Sequence, residues 1–394
     1  MAASLILLVS FLSAYILLFA IAGLLIPISV GKEDATKREG ALTRFFILVP
    51  AHNESEYLRP TLRSLRALLY PKDRFHIVVI ADNCTDDTAL IAMQEGCEVW
   101  KREDITLRGK GHALAWAFRR PHISSYDAAV VVDADTTVSS NLLQAFDREI
   151  ICGHAVIQAR YIFEFPPDTS IWLRLISYAS KRAEDCFISR PRSRFQLYQG
   201  LQGNGFCLRT QVLKNIPWCS SSICEDLEYG LDLASYGTTV DYLEDAHVTA
   251  VMTGRLQHAS GQRKRWAGGA FLLIAKRIPV LLTQAFRKHD WKSLEACIYL
   301  VTLSRLPLLM LTGLTAAFLL MERHSVHAIW WVVFAISLIL QGAYGVAMLS
   351  TTRKESGFGR MILGLPVYIL WLSWQQLVSL CTLRNSVWNR TERG

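Results

Sequence analysis

None of the nine cysteines in this 394-residue chain stands in a CxxC pair. That excludes a paired zinc knuckle and a thioredoxin-type redox motif, and leaves the cysteines as reduced structural thiols of a cytosolic domain. His52, His112, His247 and His258 are not at metal-ligand spacing and read as packing or loop residues. The chain has no internal repeat and no low-complexity tract, so neither a solenoid nor a disordered linker protein is indicated. Charge is scarce as well: charged residues make up 19% and hydrophobic residues 51%, and the mean hydropathy is +0.23. This is too apolar on average for a soluble enzyme, and the apolar residues are unevenly spread. A net charge of +8 comes without any nucleic-acid motif, so a membrane surface, not nucleic acid, is the expected partner.

Residues 4 to 29, SLILLVSFLSAYILLFAIAGLLIPIS, carry no charge and exceed the roughly 20 residues needed to cross a bilayer. No basic segment precedes the run and no small-residue cleavage site follows it, so it reads as an anchor and not as a signal peptide. Lys32, Lys37 and Arg38 follow closely and place the next segment on the cytoplasmic side. The glycosylation patterns at Asn53 and Asn83 are then irrelevant. Further apolar runs occupy 297 to 321, 326 to 350 and 361 to 383. The last has Pro366 and Gln375-Gln376 within it and the basic Arg384, Arg390 and Arg393 after it, which predicts an interfacial or re-entrant segment.

Between the anchor and these runs lies a polar block large enough for one globular domain. It opens with FFILVP at 45 to 50 and a helix through about Leu69, then HIVVIAD at 76 to 82, a short strand at 97 to 100, a helix within 108 to 120, and AAVVVDAD ending at Asp135. Continuous apolar strands alternating with helices predict an α/β fold with a mostly parallel sheet covered on both faces. Ligands of such sheets sit beyond the carboxyl ends of the strands. There the sequence places Asn53 and Glu54, then Asp82 and Asp86, then Asp133 and Asp135. Asp86, Asp87 and Thr88 read as helix-capping residues. Asp133 and Asp135 do not: two carboxylates at i and i+2 on an apolar strand repel unless a cation lies beside them, and hard oxygen ligands suit Mg²⁺ or Mn²⁺ shared with substrate phosphates. Asp241, Glu244 and Asp245 are expected at a strand end and turn.

In their order, PAHNE at 50 to 54, ADNCTDDT at 81 to 88, GKGHAL at 109 to 114, DAD at 133 to 135, GNG at 203 to 205, EDLE at 225 to 228 and QRKRW at 262 to 266 resemble the membrane-bound inverting family 2 glycosyltransferases, the group of cellulose, chitin, hyaluronan and poly-N-acetylglucosamine synthases. The resemblance runs from Val49 to about Gly269. It implies a Rossmann-like GT-A domain over 32–269, an anchor over 1–31, an interfacial helix over 270–290 and a transmembrane or interfacial region over 291–394. Pro50, Ala51, Glu54 and Asp82 would line the nucleoside pocket, Lys110 would approach the nucleotide, and Asp133 and Asp135 would hold the diphosphate and its metal. Asp226 would be the general base, with Glu225 tuning it. Gln262, Arg265 and Trp266 would serve the diphosphate and the acceptor, with Gly203 and Asn204 at the same end.

Each role has a chemical basis. Carboxylates accept from base N–H or ribose hydroxyl groups, and a lysine is a compact cation for phosphate. Inversion at an anomeric carbon needs a base for the incoming hydroxyl, and an arginine suits the departing charge. Gln262 and Arg265, three apart, share a helix face. The plain alternatives are an acidic helix start favoured by the macrodipole for EDLE, and a membrane-interface helix for QRKRW.

The donor implied is a UDP-sugar of the glucose or N-acetylglucosamine type. The acceptor is either a glycan lengthened into a polysaccharide, with an oligomer or partner subunit helping it across the membrane, or a lipid headgroup. A bacterial inner membrane is the expected location. The alternative from another class is a non-catalytic nucleotide-sugar-binding membrane protein.

Overall fold

The computed structural model describes residues 2–27, 42–220, 222–252, 256–303 and 305–353, with Gly359, Trp374 and Val378 besides. Apart from Trp374 and Val378, the expected segment at 361–383 lies outside the described residues, as does the basic tail. So do the side chains of Gln262, Arg265 and Trp266, whose backbone is helical. The chain folds as two units. One gathers the described residues of Met1–Pro27, Ser170–Leu197 and Ile274–Cys381, and the other those of Ile28–Thr169 and Tyr198–Leu273.

The second unit is built on one eight-stranded sheet. Its strands are β1 (Phe45–Ala51), β2 (Phe75–Asp82), β3 (Glu98–Arg102), β4 (Ala128–Val131), β5 (Thr136–Val138), β6 (Val156–Glu164), β7 (Phe206–Arg209) and β8 (Asp241–Val251), in the order β3-β2-β1-β4-β7-β6-β8-β5. Parallel ladders join β1 to β2 and β4, β2 to β3, and β6 to β8. β7 runs against both β4 and β6, and β5 against β8. The sheet is thus mixed, with most strands running one way.

Apolar packing explains the arrangement. Phe45, Ile47 and Val49 point to one face, where they pack with Leu58, Leu62 and Leu65 of the helix Leu58–Arg66 and with Phe146 of the helix Leu142–Ile151. Phe46 and Leu48 point to the other, against Leu114 and Ala117 of the helix Lys110–Phe118 and Tyr229 of the helix Glu225–Ser235. Both faces are buried, which is why β1, β2 and β4 read as unbroken apolar runs rather than alternating ones. Register aligns the motifs: Pro50 and Ala51 lie opposite Ile80 and Ala81, so the PAHNE and ADNC segments leave the sheet side by side.

Asp241 opens β8, at a strand end as expected, whereas Glu244 and Asp245 fall inside the strand. The ladder to β6 pairs Leu243 with Ala159 and His247 with Arg160, so Glu244–Ala246 is looped out as a bulge. Asp245 there is paired with Arg148 at 2.9 Å.

In the first unit, the helix Ala2–Leu25 packs Val9, Leu12 and Ile16 with Leu308. Arg192, almost wholly buried, donates to Tyr15 Oη at 2.9 Å and to Glu295 Oε1 at 2.5 Å. Among the described residues, three helices, Ala3–Leu25, Ala267–Lys288 and Ala328–Ser350, are long and apolar enough to cross a membrane, consistent with a membrane protein. The expected span at 297–321 is a bent pair instead: Trp291–Leu303 and Pro307–Met321 meet at 78°. Pro307 falls in the first turn of the helix Arg305–Met321, where its missing N–H costs no helical hydrogen bond.

Candidate functional site at the carboxyl ends of the strands

The carboxyl end of β4 continues into Val132-Asp133-Ala134-Asp135. Lys110, the first residue of its helix, donates its ammonium to the Asp133 carboxylate and, at 2.5 Å, to the carbonyl of Gly203. A lysine at a helix N-terminus sits against the macrodipole. Here the nearby carboxylates compensate, and the helix end gains the positive potential that suits a diphosphate. Burial works to lower the Lys110 pKa, but Asp133, Glu225 and Asp226 outweigh it and hold the group above its ordinary value.

Gly203 belongs to a loop that crosses these strand ends before entering β7. Its φ is +74°, and a Cβ added to it would lie 2.9 Å from Asp226 Oδ2. Gly205, at φ +66°, is equally hemmed in, since its Cβ would lie 2.5 Å from Val248. Both positions demand glycine, and Asn204 is held between them. Asn204 Oδ1 accepts from the Asp133 backbone N–H at 3.1 Å, and Nδ2 donates to Thr136 Oγ1 at 2.8 Å. Thr136 in turn donates to Asp135 at 3.1 Å. The GNG segment therefore touches Lys110, Asp133 and Asp226 and reaches Asp135 through Thr136.

Glu225, Asp226 and Glu228 occupy the first turn of the helix Glu225–Ser235, so the macrodipole does act on them. Burial nevertheless dominates. It pushes Glu225 up to about 8, with Asp226 raising it further and Lys110 opposing, and it raises Asp226 too, against the bond from the Leu227 N–H at 2.8 Å. Two half-buried carboxyls side by side do not both ionise readily.

At the nucleoside end, Asp82 is buried and joined to Arg102 Nη1 at 2.5 Å. Burial raises its pKa while Arg102 pulls it down. Arg102 was not foreseen from the sequence. The signal available was a basic residue ending the strand EVWKR beside Asp82, its register partner. Asn83 donates to Asp82 at 3.0 Å and exchanges bonds with the Asp104 backbone. Glu54 N–H donates to Thr88 Oγ1 at 2.8 Å. Asp86 accepts from the Thr88 N–H at 3.0 Å and from Ser55 N–H at 3.1 Å. It is a turn and capping residue as expected, and although burial would raise its pKa, those bonds lower it. Asp87, the residue before the helix Thr88–Gln94, makes no side-chain cap.

The helix Leu256–Lys288 carries QRKRW. At Gly269 it closes on the segment before Glu225, where an added Cβ would lie 2.8 Å from Cys224 Sγ.

Among the described residues, no group of three or more His, Cys, Asp and Glu side chains could hold a metal ion. Asp133 and Asp135 fit a divalent ion of another kind, one whose shell is completed by substrate phosphates.

A sheet of this topology with acidic groups at its carboxyl ends is a GT-A-like fold, and the comparisons with known proteins agree. Residues 43–269 match the family model "Glycosyltransferase like family 2". The chain belongs to that family and is a glycosyltransferase. It is 25% identical over 285 residues to beta-monoglucosyldiacylglycerol synthase of Nostoc sp., covering 68% of this chain and 57% of that one. Over 115 residues it is 34% identical to hyaluronan synthase of Streptococcus pyogenes, covering 26% and 27%. The chain spans little more than half the length of the relatives it matches over most of its own. A mannosyltransferase from Pyrobaculum calidifontis, solved with GDP-Man and Mn²⁺, shares the fold with a TM-score of 0.54 at 18% identity, covering 90% of this chain and 99% of that one.

Proposed function

We propose that this membrane glycosyltransferase moves a sugar, with inversion, from a UDP-sugar of the glucose or N-acetylglucosamine type to a glycan acceptor at the cytoplasmic face of a bacterial inner membrane, in polysaccharide synthesis. The observation that carries this reading is the contact chain Asp133–Lys110–Gly203–Asp226. It brings a phosphate-side carboxylate and cation within one loop residue of the half-buried Asp226 carboxylate.

Asp82, oriented by Arg102, and the backbone of Pro50-Ala51 receive the nucleoside beside Glu54. Asp133, Asp135 and Lys110 meet the diphosphate. Asp133 and Asp135 are the residues that would hold Mg²⁺ or Mn²⁺, which when bound neutralises diphosphate charge. Asp226 takes the proton of the attacking acceptor hydroxyl as the new glycosidic bond forms and the diphosphate leaves. Neutral Glu225 keeps the negative charge on Asp226, and Arg265 and Gln262 supply donors toward the leaving group, with Trp266 as a platform for the acceptor ring.

A second reading, a lipid acceptor, is favoured by the relative named beta-monoglucosyldiacylglycerol synthase. Among the described residues three helices, or four counting the bent pair, are available to enclose a polymer channel, which favours it too. One experiment separates the two. Membranes holding the protein are given labelled UDP-glucose, UDP-N-acetylglucosamine or GDP-mannose, and product is followed into organic solvent or into water-soluble polymer. Polymer supports the first reading and extractable lipid the second. Transfer from GDP-mannose alone would overturn the UDP assignment.

A further inference from the structure

We propose that Gln158, a residue of β6, is the positioning residue that fixes the spacing between the phosphate-side group Lys110–Asp133 and the base Asp226, acting through the loop Gln202–Gly205. This rests on the reading of Asp226 and Lys110 given above.

Gln158 is 1% exposed, in a strand segment whose neighbours Val156, Ile157 and Ala159 are buried and apolar. A buried glutamine costs stability unless all its polar atoms are bonded, and here they are. Its Nε2 donates to the carbonyl of Asn204 at 2.7 Å and to that of Ala159 at 2.9 Å, while Oε1 accepts from the Gln202 N–H at 2.9 Å. One side chain thus grips the loop on both sides of Gly203. The backbone adds two further ties, Gly205 N–H to Val131 O at 3.0 Å and Ala159 N–H to Gly205 O at 2.9 Å. Those hold only the end of the loop that enters β7. Gly203, at the centre, lies between the two residues that Gln158 bonds, accepts from Lys110 through its carbonyl and stands against the Asp226 carboxylate.

The arrangement makes the loop a spacer. Asn204 ties it to the Asp133 backbone on one side, and Gly203 sets the depth of Asp226 on the other. Releasing the Gln158 grip leaves every reacting group present and its distance from the others less defined. Misplacement of about 1 Å costs on the order of a hundredfold in rate, whereas nucleotide contacts made at β1 and β2 do not pass through the loop.

The test uses Gln158→Met, which keeps the volume and removes both bonding functions, beside Gln158→Glu, which keeps the acceptor toward Gln202. Full-length protein in membranes or detergent is assayed for transfer, for the donor KM and for UDP affinity by calorimetry. The expected result is a loss in kcat of roughly tenfold or more in Gln158→Met, with donor KM and UDP affinity within about threefold of wild type, and a smaller loss in Gln158→Glu. A kcat within twofold of wild type in Gln158→Met overturns the proposal, and so does a parallel fall of kcat and UDP affinity, which marks general loosening. Should Gln158→Met not fold, the same two readouts in Gln158→Glu decide. Failure of the underlying reading looks different: wild-type protein would then bind no UDP and show no transfer.

Discussion

Gly203 stands so close to Asp226 that a methyl group on its Cα would come within 2.9 Å of Oδ2. Backbone and carboxylate define each other's place, and the φ of +74° at Gly203 adds strain to any side chain there. In Gly203→Ala the Asp226 carboxyl must turn away from the loop. Transfer is expected to fall on the order of a hundredfold, while UDP affinity, which keeps its nucleoside contacts at β1 and β2, changes far less. Steady-state kinetics with calorimetry checks this, and near-normal kcat would refute the geometry.

The sequence made the first half of the sheet readable because β1, β2 and β4 are buried on both faces, and an apolar run that stops in a carboxylate announces its own end. The second half was not readable in this way. β7 and β5 are short and antiparallel, and β8 alternates buried and half-buried positions around a bulge at Glu244–Ala246, so its acidic residues resemble a turn. The same limit applies to the site. Asp133, Asp135, Glu225 and Asp226 were legible as carboxylates out of place. Arg102 and Gln158 were not, because each matters only through a partner 20 or 44 positions away in the chain. The glycines of GNG were visible, but their reason, Asp226 on one side and Val248 on the other, is tertiary.

Arg102 and Asp82 form a buried pair, each about 5% exposed. Removing one partner of such a pair strands the other's charge, at a cost of about 3–5 kcal/mol. Arg102→Met should therefore lower the unfolding midpoint and weaken UDP binding together, since Asp82 loses its orientation. Thermal unfolding with and without UDP measures both. A variant with wild-type stability and wild-type UDP affinity would remove Arg102 from the nucleoside site.

Stability should depend on pH through Glu225. Its pKa rises from 4.5 to about 8 on folding, chiefly by burial, so the folded state binds the proton more tightly than the unfolded one. The stabilisation is complete below about pH 4.5 and is lost as pH rises through about 8. Asp226 shifts in the same direction. The unfolding midpoint should accordingly fall between pH 5 and 8, and Glu225→Gln, which cannot ionise, should flatten that slope. Parallel slopes in the two proteins would show that Glu225 is not the titrating group.

The diphosphate end predicts metal dependence. Transfer should stop in excess chelator and return with Mg²⁺ or Mn²⁺, and UDP should bind more weakly without the ion. Asp135→Ala should lose both the activity and the metal enhancement of UDP binding while keeping the metal-independent affinity. Calorimetry with and without Mn²⁺ reads this directly. Full activity of Asp135→Ala in chelator would exclude the metal role.

Asp226 and Glu225 are adjacent, both half-buried, and assigned different tasks, so substituting each by its amide tests the division. Asp226→Asn keeps size and hydrogen bonding and cannot take the acceptor proton. Transfer should fall by on the order of a hundredfold or more, and donor binding should persist because the phosphates are held by Lys110 and Asp133. Glu225→Gln imitates the neutral form that burial already favours, so its transfer should stay within a few-fold of wild type at pH 7. Above pH 8 the two proteins should separate: ionised Glu225 adds a second negative charge beside Asp226 in wild type, and the glutamine cannot. Product analysis across pH 6 to 9 for both variants supplies the measurement. Loss of transfer in Glu225→Gln with activity retained in Asp226→Asn would reverse the two roles.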